Sequence, residues 1–235
     1  MASLRFYTVA LAALAPGALA RLMINNWCGN SVSIVKSHAA SCDFGQDGKC
    51  ISDGGRPWVI PPGSGNSILG LDYIADGVGA SVKIAKDGGP AGVLQFEYNV
   101  VNGGNYGGLY WDLSDLDGSG PGLVGTPFFH DNVKVTPTGK GSGTGTCVII
   151  RCTAGQVCLD SYQHPDDPNT KHCPVDTGDL WLDLCMPRDL FDARRAVADS
   201  GSAEENNTEE ATPQHDRRHE HLGAHLTGHK RHFRA

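Results

Sequence analysis

Eight cysteines, Cys28, Cys42, Cys50, Cys147, Cys152, Cys158, Cys173 and Cys185, constrain this 235-residue chain more than any other feature. Residues 1–20 indicate the compartment in which they fold. Arg5 is followed by an apolar run from Phe6 to Ala15 and by Ala18 and Ala20 at A-x-A spacing, the pattern of a secretory signal peptide. The run is too short for a membrane span, which needs about 20 apolar residues. An even set of cysteines in a secreted chain reads as a disulfide framework of four bridges, whose pairing spacing alone does not give. A zinc site is the poorer reading, because no C-x2-C pair is present. The mature protein is expected to be secreted, extracellular and soluble.

Residues 21–187 are expected to form one domain, a length within the usual range for a single core. Apolar and β-branched runs follow one another closely: Leu22–Asn26, Ser31–Lys36, Trp58–Ile60, Ser67–Tyr73, Ala80–Lys86, Val93–Val100, Leu109–Leu113, Asn132–Thr136, Cys147–Cys152 and Leu180–Cys185. Gly, Pro, Asn and Asp punctuate them, and no helical period separates them. The pattern predicts an all-β fold, an antiparallel β-sandwich stapled by disulfides. Trp111, alternating with Asp112, is expected in the core, as are Trp27 and Trp181 beside the terminal cysteines.

Between Val93 and Gly118 the segment VLQFEYNVVNGGNYGGLYWDLSDLDG reads as a strand, a glycine-rich connection and a second strand. The second strand carries Asp112, Asp115 and Asp117 towards Glu97 of the first. This is the densest acidic group of the domain, and a candidate site. Tyr98, Tyr106, Tyr110 and Trp111 are the aromatic residues near it that a sugar ring could stack on. Asp in S-D-L-D-G also suits a turn that binds local backbone.

The same stretch resembles a known family. YWDLSDLDG is similar to the thaumatin-like signature (F/Y)(W/Y)DISLVDG, and LQF before it resembles that family's L-A-E-F strand. Further on, VKVTPTGKGSGTGTCVIIRC (133–152) and CPVDTGDLWLDLCMP (173–187) resemble its P-x4-P-T…C-x4-C and closing C-P…V-T-F-C-P stretches. INNWC (24–28) and WVIPPGS (58–64) resemble its first strands. The chain is thus identified, over residues 21–187, as resembling small secreted fungal thaumatin-like proteins, the antigenic group included. The resemblance implies bridges Cys28–Cys185 and Cys147–Cys173, which leave the neighbouring pairs Cys42–Cys50 and Cys152–Cys158.

It also implies a function. In many thaumatin-like proteins an acidic cleft is associated with β-1,3-glucan binding and sometimes weak hydrolysis. Asp112 and Asp117 fall on two of its positions. The glutamate position is Gln95, with Glu97 two residues on and on the same strand face. The arginine-bearing stretch matches Asn66–Leu71, which contains no arginine. The expectation is a protein that binds cell-wall polysaccharide through Gln95, Glu97, Asp112, Asp115 and Asp117, more a binder than an enzyme. A weak endo-β-1,3-glucanase using Glu97 with Asp112 or Asp117 is one alternative. A non-catalytic antigen or effector that contacts a host protein is the other.

Charge narrows the partners. Between Arg21 and Pro187, 10 Lys and Arg stand against 17 Asp and Glu, a formal charge of −7, which disfavours nucleic acid. No cofactor and no membrane partner are expected, and the domain is read as a monomer. Residues 188–235 are poor in apolar side chains and read as a disordered tail, helical at most over 188–197. It carries an N-glycosylation sequon at Asn206 and six histidines, His215, His219, His221, His225, His229 and His232, a weak metal-binding pattern.

Overall fold

In the computed structural model, the described residues are 20–38, 41–63, 66–71, 78–103, 106–115, 121–164, 167–174 and 176–192. Residues 1–19 of the signal segment, Asp117, Asn206 and the tail histidines lie outside them.

The apolar runs form eleven strands among the described residues: β1 Arg21–Asn26, β2 Val32–His38, β3 Trp58–Ile60, β4 Asn66–Gly70, β5 Ala80–Lys86, β6 Leu94–Val101, β7 Gly108–Ser114, β8 Val133–Gly139, β9 Ile150–Cys152, β10 Lys171–Cys173 and β11 Thr177–Leu184. They make a five-stranded sheet, β4-β1-β11-β8-β9, and a six-stranded sheet, β10-β7-β6-β5-β2-β3. One core cluster draws on both sheets, including Leu22, Ile24, Leu180 and Leu182 from the first and Phe96, Trp111, Leu113 and Val82 from the second. Alternation along each strand sorts the chain in this way, one parity inward and the other out. Trp111 is fully buried and stacks on Phe96 with ring centroids 5.7 Å apart.

Most neighbours are antiparallel, as the sandwich reading requires, while β1 and β11 run parallel. The chain ends of the domain thus lie side by side, and Cys28–Cys185 links them across 157 residues. Cys42–Cys50, Cys147–Cys173 and Cys152–Cys158 complete the set: the two bridges that the family resemblance implies, and the two neighbouring pairs that those leave. By the chain-entropy model the long bridge stabilises by about 5 kcal/mol.

Some expectations need correction. Trp27 is 44% exposed, and its Nε1 donates to Asp183 Oδ1 rather than entering the core. Trp181 is half-buried, because Leu180 and Leu182 take the inward parity and leave it on the outer face. β4 ends at Gly70, and of the run 147–152 only the last three residues are strand. β10 is absent from the sequence reading, since three residues with no β-branched side chain give no periodic signal. Residues 188–192 are helical, in keeping with the helical start read over 188–197, and Phe191 is buried.

Candidate functional site

The outward face of the six-stranded sheet carries the predicted acidic group. Leu94, Phe96, Tyr98 and Val100 fill the core from β6, so Gln95, Glu97 and Asn99 point away from it. On β7, Leu109, Trp111 and Leu113 go inward and leave Tyr110, Asp112 and Ser114 on the outer face. The hairpin register sets Glu97 directly opposite Asp112, and Gln95 opposite Ser114. Directly opposed side chains have Cβ atoms roughly 5 Å apart, and the two carboxyl groups hydrogen-bond to each other. Gln95 donates to Ser81 Oγ at 3.1 Å, extending the polar row onto β5.

Although this face points away from the core, it is covered. Glu97 is 7% and Asp112 1% exposed. Tyr162 and Asp167 help to form the cover. The backbone N–H of Tyr162 donates to the Leu113 carbonyl at 3.0 Å, and the Tyr162 hydroxyl lies 2.5 Å from Thr170 Oγ1. Asp167, also buried, is fixed there by the backbone N–H groups of Gln163 and Asn169, each at 3.0 Å. From the edge strand β10, buried Lys171 reaches to 3.5 Å from Asp160 Oδ1.

The electrostatics follow from this enclosure. Burial, then the charge and hydrogen bond of Glu97, then the charge of Asp167 push the Asp112 carboxyl well above the usual carboxylate range, with Lys171 opposing them. Asp112 Oδ1 is buried with no hydrogen-bond donor among the described residues, so little favours its ionised form. Tyr162 is likewise pushed up, by burial first and by the Asp112 charge second. The enclosure therefore favours the protonated form of Asp112 beside Glu97.

Asp115 does not join this pair. Its Oδ2 accepts the backbone N–H of Gly125 at 2.7 Å and ties β7 to the turn at 121–125. That turn holds Leu123, almost fully buried, at φ 70°, a conformation a branched side chain adopts only when its surroundings impose it. The position of Asp117 lies outside the described residues. Of the five acidic-cleft candidates, the described structure thus brings together Gln95, Glu97 and Asp112, while Asp115 serves the turn. Sequence reasoning missed Tyr162, Asp167 and Lys171, which come from 50 or more residues further along the chain.

An aromatic group stands at the next position on the same face. Tyr110 pairs with Asn99 on one side and with His172 on the other. The Tyr110 and His172 rings are 4.5 Å apart, and the Tyr110 hydroxyl donates to the Tyr106 carbonyl at 2.9 Å. Tyr106 itself is 65% exposed. Tyr98 and Trp111, the other two aromatic candidates, are buried in the core. Among the described residues no group of three or more His, Cys, Asp and Glu side chains is placed to hold a metal ion.

No family model matches the chain. The antigenic thaumatin-like protein of Arthroderma benhamiae is 30% identical to it over 186 residues, 75% of this chain and 78% of that protein. The chain belongs to the thaumatin-like family. The secreted thaumatin-like protein calA of Emericella nidulans is 37% identical over 99 residues, 41% of this chain, and the match spans 50% of calA. Among solved structures, the protein elicitor MoHrip2 from Magnaporthe oryzae is similar with a TM-score of 0.46 and 20% identity, over 71% of this chain and 99% of its own. In this thaumatin-like chain, then, the signature strand YWDLS is β7, and its first Asp, Asp112, is the buried partner of Glu97. No helix among the described residues is long and apolar enough to cross a membrane.

Proposed function

We propose that this thaumatin-like protein is secreted and binds cell-wall polysaccharide of the β-1,3-glucan type with little or no turnover. The observation that carries the second half of this reading is the direct, hydrogen-bonded opposition of Glu97 and Asp112. Glycoside hydrolysis needs two carboxyl groups about 5 to 9.5 Å apart with the scissile bond between them. Two carboxyls that hydrogen-bond to each other beneath a cover leave no room for that bond. The acid–base pair of a glucanase is therefore not available from these two residues.

Binding rests on what borders the pair. Tyr106 and the Tyr110–His172 stack offer flat apolar surfaces, and the less buried side chains of Ser81 and Lys83 on β5 offer polar groups on the same sheet face. That combination suits a pyranose ring, apolar on its faces and hydroxylated at its rim. The test is retention of the secreted protein on insoluble β-1,3-glucan, chitin and cellulose, with released reducing sugar measured in the same tubes. Retention on glucan with no sugar release is expected, weakened on the order of five-fold by Tyr106→Ala. Sugar release that disappears in Glu97→Gln would establish hydrolysis instead. Absence of retention on all three polymers would favour a protein partner.

A further inference from the structure

A different group of side chains occupies the outward face of the five-stranded sheet. Val133, Val135, Ile150 and Cys152 turn into the core. Lys134 and Arg151, which stand directly opposite each other on β8 and β9, therefore turn away from it. Lys134 also faces Asp183 on β11, and Asp183 faces Asn25 on β1. A single row, Asn25, Asp183, Lys134 and Arg151, thus crosses the sheet from β1 to its edge at β9. The carboxylate of that row is already engaged: Asp183 Oδ1 accepts from Asn25 Nδ2 at 2.8 Å and from Trp27 Nε1 at 3.0 Å.

Arg151 is the member the row leaves unmatched. Its Nε and Nη2 are buried and have no acceptor among the described residues. Thr136 lies two residues along β8 from Lys134, on the same face, and its Oγ1 is buried with no hydrogen-bond partner among the described residues. Buried guanidinium donors without acceptors are among the costliest groups a fold can carry, so a ligand that satisfies them gains what the apo fold concedes. A planar fork of N–H donors, a neighbouring ammonium and a hydroxyl match a compact oxyanion. The fork gives two parallel hydrogen bonds and Lys134 gives charge.

We infer that Arg151, Lys134 and Thr136 form a binding site for a small oxyanion: sulfate, phosphate or carboxylate. The site is on the opposite sheet from the acidic pair, and it stands or falls independently of polysaccharide binding. Its position on a chain with formal charge −7 makes the local character of the site decisive, since the overall field repels anions.

The test is titration of the full-length 15N-labelled protein with sulfate, phosphate and acetate, against sodium chloride at matched ionic strength. The Arg151 Nε–H resonance is followed, identified by its loss in Arg151→Gln. The expected result is a saturable shift with a Kd at or below about 1 mM for at least one oxyanion, absent with chloride. Thr136→Val should weaken that binding roughly three- to ten-fold, and Arg151→Gln should abolish it. No saturable shift with any of the three, an equal response to chloride, or undiminished binding in a folded Arg151→Gln protein would overturn the site. Should Arg151→Gln fail to fold, the wild-type titration and Thr136→Val decide.

Discussion

Substituting Asp112 by Asn should change how the stability of this protein depends on pH, and the sign is fixed by the geometry of the carboxyl pair. With its carboxyl pushed well above the usual range, Asp112 in the folded state keeps its proton at pH values where an unfolded Asp, with a pKa of about 3.9, has lost it. A folded pKa above the unfolded one means that the stabilising contribution is complete below about pH 4 and is lost as pH rises towards the folded pKa. Wherever the pH lies between the unfolded and the folded value, one proton held only by the folded state gives a slope of about −1.4 kcal/mol per pH unit. Ordinary paired surface carboxylates work in another window. Asp179, held below the usual range by its hydrogen bond to Arg21, contributes above pH 4 and loses that contribution only on further acidification. In Asp112→Asn the amide can still donate to Glu97, while no proton needs to be retained. Denaturant unfolding of the oxidised protein at pH 4, 5 and 6, at constant ionic strength, should show the wild-type slope and its near disappearance in the variant. Equal slopes in the two proteins, with equal m-values, would refute a proton held on Asp112 by the fold.

Three further outcomes follow from other parts of the molecule. Replacing Cys28 and Cys185 by Ala releases a bridge spanning 157 residues and should cost up to about 5 kcal/mol, read as a fall in denaturation midpoint with the other three bridges intact by mass mapping. Asp115→Ala removes the acceptor of the Gly125 N–H and should cost about 1.5–3 kcal/mol, with faster hydrogen exchange confined to the turn at 121–125. At Gly108 an added Cβ would fall 2.3 Å from His172 Nε2 and 2.4 Å from the Cys173 carbonyl, so Gly108→Ala should displace β10 from β7 and cost about 1–3 kcal/mol by thermal unfolding, perturbing the His172 ring signals first.

Much of the fold is legible in the chain because its signals are local. Strand runs, their inward parity and the punctuation by glycine depend on residues within a few positions of each other. They place Trp111 in the core with Asp112 on the opposite face, and Gln95 and Glu97 together on one face of their strand. Parity also explains Trp181, misread from its nearness to a cysteine although Leu180 and Leu182 on either side had already claimed the core. The cysteines, by contrast, are paired by the fold and not by their spacing. The family resemblance supplies what spacing lacks.

What the tertiary structure alone decides is who stands opposite whom. The hairpin register puts Glu97 against Asp112 instead of one pair along, and a slip of one residue would send the whole strand's side chains to the other face. Tyr162 and Asp167, which help to cover that pair, lie in a turn-rich stretch of sequence with no periodicity to mark it as the roof of an acidic site. Only packing brings Tyr162 and Asp167 close enough to shift a proton equilibrium. The same is true of Arg151 and Lys134, each an unremarkable cation between two apolar neighbours in sequence. Neither their pairing across β8 and β9 nor the burial of the Arg151 donors exists until the strands are laid side by side. Local sequence sets which face a side chain takes, because strand geometry alternates without outside help. Charge pairing, burial and pKa depend on distance through space, and that is set when segments far apart in the chain come together.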